Sequence, residues 1–209
     1  MIKKYAIFGN GGFAKEVESL IFSINKIDKV DIKFIDKNNT NESDVISEEH
    51  YDPIIHGDPI IAIGNPILRK KISIELKEKF KNINFPNIIH QSVFIGKNVE
   101  IGVGNIITQN CVLTTNIKLK DFIHLNLSTT IGHDVVLGNY FTTAPGVHIS
   151  GNVTVDDLVY FGTNSCTKEK ISICSNVIVG AGAVVVENIT ENGTYVGLPA
   201  KLKKEIHNV

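Results

Sequence analysis

From Ile95 onward a bulky side chain returns at every sixth residue: Ile95, Ile101, Ile107, Leu113, Leu119, Leu125, Ile131, Leu137, Thr143, Ile149, Val155, Phe161, Thr167, Ile173, Val179 and Val185. The register holds without an insertion. A strict period of six fits neither a helix nor an alternating strand, but it fits a chain that coils repeatedly around one narrow core. Four residues after each lead stands a second, smaller set, mostly apolar: Val99, Cys111, Ile117, Ile123, Val135, Val147, Val153, Val159, Ile171, Val177 and Ala183. The residue before that is Asn or Gly at Asn98, Gly104, Asn110, Asn116, Gly146, Asn152, Asn164, Asn176, Gly182 and Asn188, types that suit a corner needing a left-handed backbone. Each hexad reads as a short strand plus a bend. Three hexads close a triangular coil, so the run predicts slightly more than five stacked coils of parallel β-helix. A β-sandwich would not keep this register, because its strands vary in length.

Residues 3 to 89 follow a different pattern. Tyr5 to Phe8, Asp31 to Ile35 and Ile60 to Ile63 read as strands, Ala14 to Phe22 and Ile67 to Phe80 as helices, and a last short strand is expected within Ile83 to Ile89. Alternating strands and helices predict a small parallel α/β sheet. The polar stretch Asp36 to Asp52, with Asn38-Asn39-Thr40-Asn41, is expected to be a flexible loop. Two domains result, 1–89 and 90–209.

Composition limits the partners. A net charge of −1 provides no basic field for nucleic acid or anionic lipid, and no stretch approaches the length of a membrane span. Cys111, Cys166 and Cys174 are odd in number and lack CxxC spacing, which argues against a disulfide framework or zinc and for a reducing cytoplasm. No histidine cluster has metal spacing.

Two motifs carry chemistry. Gly9-Asn10-Gly11-Gly12-Phe13-Ala14 fits G-x-G-x-x-[GA] between a predicted strand and helix, where backbone N–H groups and a helix N-terminus can face a phosphate. Asp36 ends the second strand, where an acid can accept from a ribose or base. A dinucleotide cofactor is disfavoured, since fewer than ninety residues leave no room for the two-halved sheet. The second motif, His133-Asp134, sits at a predicted bend two residues after inward Ile131, so the imidazole should point away from the coil. An imidazole held by a carboxylate is suited to take a proton in acyl transfer. Adjacent residues on a flat strand would point apart; a bend can bring them together. His124 and His148 stand just before inward positions and are expected to face outward, His90 marks the entry to the coils, and His50, His56 and His207 fall in loops or the tail.

Hexads such as Ile95-Gly96, Ile101-Gly102, Ile131-Gly132, Leu137-Gly138 and Val179-Gly180 resemble those of the left-handed β-helix acyltransferases. Together with Phe8 to Lys15, Ile61-Ala62-Ile63-Gly64-Asn65, Ile131-Gly132-His133-Asp134 and Val196-Gly197-Leu198-Pro199-Ala200-Lys201, the whole chain resembles the bacterial acetyltransferases of nucleotide-linked amino sugars, the PglD, PerB and NeuD group. The resemblance implies left-handed coils, acetyl-CoA as acyl donor and a homotrimer with active sites at subunit interfaces. It implies His133 as general base with Asp134 orienting it, and direct transfer to the 4-amino group of a nucleotide-linked sugar, with O-acetylation of a sialic acid or another sugar hydroxyl as the alternative. It further implies that Gly9, Gly11, Gly12, Asp36, Gly64 and Asn65 bind the nucleotide, that Asn126 faces the acceptor, and that Gly146, Gly151, Gly162, Gly180, Gly182 and Pro199 line the acetyl-CoA groove. Several relatives carry a second His nine residues after the first; here that place is Thr142, which leaves the acceptor's identity open. The pathway implied is surface glycan or glycoprotein sugar synthesis.

Overall fold

The computed structural model describes residues 2–25, 29–37 and 44–203. An α/β domain comes first: β1 (Lys3–Phe8), α1 (Gly12–Ile24), β2 (Val30–Asp36), β3 (Val45–Ser47), α2 (Pro53–His56), β4 (Asp58–Ile61) and α3 (Pro66–Lys79). The four strands are parallel in the order β3-β2-β1-β4. Central β1 is covered on both faces, which is why Tyr5, Ala6, Ile7 and Phe8 are all buried and read as an unbroken apolar run.

The stretch expected to be a loop, Asp36 to Asp52, instead contains β3 and a 3₁₀ turn over Glu48–His50. Val45 and Ile46 pair with Phe34 and Ile35, so two β-branched residues in a polar run are enough to add an edge strand. Asn38 to Asn41, and His207, lie outside the described residues.

The strand expected within Ile83 to Ile89 shrinks to Ile88–Ile89, and it pairs with Ile106–Ile107 of the coil rather than with the first sheet. Ile88 packs into the α/β core and Ile89 against the coil core, so consecutive side chains serve both units.

From there the chain forms a left-handed parallel β-helix with three sheets of five, eight and six strands. Each rung pairs with the residue eighteen positions on, as Thr130 with His148 and Val136 with Thr154. The interior is a column of leads and second-set residues, including Leu113, Leu125, Ile131, Val135, Leu137, Phe141, Val147 and Phe161, each at 0% exposure.

Every sixth residue from Asn98 to Gly182 has φ between 54° and 71°. Asn188 does not continue the series; its side-chain oxygen accepts from the Ser172 N–H beside the final coil. Asn and Gly fill most of these corners, but one column carries Phe122, Tyr140 and Leu158. A large side chain in the left-handed region costs about 1–2 kcal/mol. Burial offsets that cost, because these side chains enter the core of the α/β domain. The Phe122 and Tyr140 rings stack at 5.3 Å, and Phe85 meets Phe122 edge-on at 4.9 Å.

Arg69 closes the same junction. It shares the inward stripe of α3 with Ile72, Ser73 and Leu76 and is fully buried, with no ion pair to a carboxylate among the described residues. Its guanidinium donates to the carbonyls of Phe122, Ile63, Gly64 and Tyr140 and to Thr142 Oγ1. Burial pulls its pKa down to about 9, so it remains charged at neutral pH. The two domains are thereby held as one packed unit. No helix among the described residues is long and apolar enough to cross a membrane.

Candidate active site

His133 follows the rung Thr130–Ile131 and precedes Val136–Leu137, which places it at the corner between the six-stranded and five-stranded sheets. Its ring is exposed, as the bend predicts. Asp134 is the left-handed residue of this corner, with φ of 59°, and that turn brings its carboxylate alongside the preceding side chain. Nδ1 of His133 lies 2.7 Å from Oδ2 of Asp134. The carboxylate fixes the tautomer: Nδ1 donates and Nε2 presents its lone pair outward. Asn116 Nδ2, one coil earlier, donates to the other oxygen at 3.1 Å. These two hydrogen bonds, His133 first and Asn116 second, hold the Asp134 carboxyl below the usual carboxylate range.

Gly151 sits one coil below His133. A Cβ there would come within 2.6 Å of His133 Nε2, so the missing side chain makes room for the imidazole. At Gly146, Gly162 and Gly180, likewise named for the acetyl-CoA groove, a Cβ would fall at or under 2.8 Å from atoms of the chain itself. Only at Gly162 is the nearest atom backbone, so coil stacking itself requires that glycine; at Gly146 and Gly180 the nearest atoms belong to the side chains of Asn164 and Val196. Gly182 faces open space, and Pro199 is exposed in the C-terminal segment.

In the first domain, Gly9 and Asp36 line one hollow of about 280 Å³ at the C-terminal ends of β1 and β2, with Ile63 and Leu68 on its other wall. Gly11 caps α1 without a side-chain bond, and neither Gly11 nor Gly12 has an atom within 4 Å of a would-be Cβ. The first N–H groups of α1 are therefore approachable, as a phosphate would need. Asn65, named with them, does not line this hollow; its side-chain oxygen caps α3, accepting from Ile67 and Leu68.

Gly64, Asn126 and Thr142 meet in a separate cleft of about 380 Å³ between the domains, joined by Phe13, Glu16 and His124. Thr142 is 4% exposed and its hydroxyl accepts from Arg69 at 2.6 Å. The Asn126 oxygen accepts from the Leu127 N–H, which leaves its amide nitrogen for other partners.

His124 faces outward from the coil as expected, yet the α/β domain covers it to 1% exposure, with the Phe13 ring 5.2 Å away. The Ile61 carbonyl comes near enough to favour protonation, but neither ring nitrogen meets hydrogen-bond geometry. Burial first, and the Arg69 charge second, push its pKa well below the usual value, so it is neutral. His148 is exposed and bonds Thr130 Oγ1 at 2.8 Å, and His90 bonds Ser92 at the entry to the coils.

The cleft does not contain His133. Asn126 stands at the corner between the eight-stranded and six-stranded sheets, and His133 at the following corner. Within one chain the dyad and the cleft occupy different edges of the prism. Arg69 was not singled out in the sequence, and Phe13 and Asn116 were read only as a motif residue and a corner residue, not as members of the site. Arg69 had a readable signal, since it occupies a core-facing position at helical spacing with Ile72, Ser73 and Leu76.

Cys111 is an interior residue whose thiol donates to the Asn126 carbonyl at 3.2 Å, and burial pushes its pKa up to about 11. It stays a thiol and is not suited to form an acyl-enzyme.

Residues 4–76 match the family described as the PglD N-terminal domain. WeeI from Acinetobacter baumannii AYE is 31% identical, with 96% of this chain and 100% of that chain covered at a TM-score of 0.86. The acetyltransferase domain of PglB from Neisseria gonorrhoeae FA1090 is 29% identical over 96% of this chain and 100% of that chain, with a TM-score of 0.86, and has also been solved with acetyl coenzyme A. Among curated proteins, the GDP-perosamine N-acetyltransferase of Escherichia coli O157:H7 is 29% identical over 122 residues, 58% of this chain and 54% of that protein. The chain thus spans about half the length of that relative.

Proposed function

The chain belongs to the PglD, PerB and NeuD group of hexapeptide-repeat acetyltransferases, and from that premise we propose that it transfers an acetyl group from acetyl-CoA to the amino group of a nucleotide-linked amino sugar. The observation that carries the reading is the 2.7 Å contact between His133 Nδ1 and Asp134 Oδ2 on an exposed corner. Asp134 holds Nδ1–H, so Nε2 accepts the proton as the amine attacks the thioester carbonyl; the adduct then collapses with cleavage of the C–S bond, and the imidazolium returns the proton to the departing CoA thiolate. The charge that develops on His133 is balanced by the adjacent carboxylate. Oxyanion stabilisation falls to backbone N–H groups of the neighbouring coils.

The nucleotide would lie against the hollow formed by Gly9 and Asp36, with its phosphates at the open start of α1, beside Gly11 and Gly12. The sugar would reach the cleft of Asn126 and Thr142. Gly182, which has open space beside it, is the position among the six that best fits a passing pantetheine chain. Because the cleft and the dyad stand on different corners, we assign the complete site to two copies of the chain, in a trimer whose seams each join one copy's cleft to the next copy's His133.

The test is an assay of purified chain with acetyl-CoA and UDP-, GDP-, dTDP- and CMP-linked sugars. CoA release is expected only with a free amine on the sugar, and His133→Ala should lower it by about a hundredfold or more while nucleotide-sugar binding persists. Turnover confined to hydroxyl acceptors, or unchanged in His133→Ala, would overturn the reading. Mixing His133→Ala with an inactive cleft variant, Asn126→Trp, should restore activity through mixed trimers; no restoration would place the site within one chain.

A further inference from the structure

Asp134 interrupts a column of asparagines. Asn98, Asn116 and Asp134 occupy the same corner of successive coils, eighteen residues apart, each with a left-handed backbone. Asn98 Nδ2 lies 3.0 Å from Asn116 Oδ1, and Asn116 Nδ2 lies 3.1 Å from Asp134 Oδ1. The direction of the row follows from chemistry alone. An ionised carboxylate only accepts, so Asn116 must turn its NH₂ toward Asp134. Its oxygen then faces Asn98, which must donate in turn.

We propose that Asn116, oriented by Asn98, is a positioning residue that fixes the Asp134 carboxylate so that Oδ2 is the oxygen facing His133. Asp134 Oδ1 is engaged by Asn116 and Oδ2 by His133, while the Asp134 N–H is anchored on the Thr115 carbonyl at 3.1 Å. With one oxygen pinned, the carboxylate does not swing away when His133 takes a proton. Aligned donors in a row also polarise one another, so the amide nearest the carboxylate is a better donor than an isolated one. The two side chains bonded to this carboxylate are His133 and Asn116, and Asn116 is uncharged. The inference rests on the proposed role of His133 as base.

The experiment compares Asn116→Ala, Asn116→Asp and Asn98→Ala in the full chain. Asn116→Ala should lower kcat by about tenfold with little change in KM for the sugar, and Asn98→Ala by less, because a charge-assisted hydrogen bond is lost only in the first. Asn116→Asp replaces a donor by a like charge, so carbon-13 titration of the Asp134 carboxyl should show its pKa raised, and the acid limb of the kcat profile should move to higher pH. An unmoved Asp134 titration in both Asn116 variants would overturn the proposal. So would unchanged kcat in a folded Asn116→Ala enzyme. These readouts separate the two ideas: if His133→Ala is fully active, the base assignment fails whatever Asn116 does, and the carboxyl titration still reports on Asn116 without turnover.

Discussion

Arg69 Nη2 lies 2.6 Å from Thr142 Oγ1, so a helix of the first domain is bonded directly to a rung of the β-helix. The same side chain satisfies four backbone carbonyls in a dry junction. Arg69→Met should lower unfolding free energy by about 3 kcal/mol or more in urea denaturation, because buried acceptors lose their donors. Arg69→Lys should recover only part of it, since an ammonium has three donors against five. An unfolding free energy within about 1 kcal/mol of the parent for Arg69→Met would refute the account.

Asp134→Asn tests the dyad more finely than deleting the imidazole. An amide can donate to Nδ1, which would move the ring proton to Nε2 and remove the base. Acetyl transfer is expected to fall by about a hundredfold with nucleotide-sugar affinity retained. The stability consequence has a definite sign. The folded carboxyl is held below its unfolded value of about 3.9, so its contribution is complete above that value and disappears as pH falls through the lower folded one. The carboxyl's own share of the difference in stability between parent and Asp134→Asn should therefore shrink in strong acid, as the carboxyl protonates. A difference that did not shrink in strong acid would refute this role of the carboxyl.

Gly151→Ala places a methyl group where the His133 ring now lies, 2.6 Å from Nε2. The ring can turn aside at the surface, so the coil should remain folded, with its thermal midpoint nearly unchanged. Activity should fall by about tenfold or more, because the base leaves its reacting position. Unchanged turnover would mean that the observed ring position is not the working one.

Phe122→Asn sets local preference against packing. Asparagine is at ease at φ of 57°, and the corner itself should gain about 1 kcal/mol. Loss of the stacked and edge-on rings should cost about 3–5 kcal/mol, leaving a net destabilisation of about 2–4 kcal/mol. Stabilisation in calorimetry would show that corner strain outweighs the junction.

The coil was legible because its period is a packing requirement repeated from Ile101 to Val185; the first lead, Ile95, is exposed and only continues the pattern. Its corners were legible for the related reason that the left-handed backbone selects Asn and Gly. The junction was not legible at residue level. Phe122, Tyr140 and Leu158 register in the sequence as absences of Asn or Gly, and only the packed α/β domain explains them. His124 was placed on the outer face correctly, but its burial depends on a domain arriving from more than a hundred residues earlier, a non-local contact that no periodicity encodes. The dyad could be named from two adjacent letters, and its geometry followed from the corner. The separation of dyad and cleft onto different edges required the sheet topology.

Because equivalent corners recur every eighteen residues, the prism behaves like a ruled rack. Moving a functional side chain by one full coil shifts it about 4.8 Å along the axis and leaves its outward bearing unchanged. A reactive group in such a protein can thus migrate along an edge by simple exchange with the amides above or below it. A change of six residues, in contrast, would send it to another side altogether.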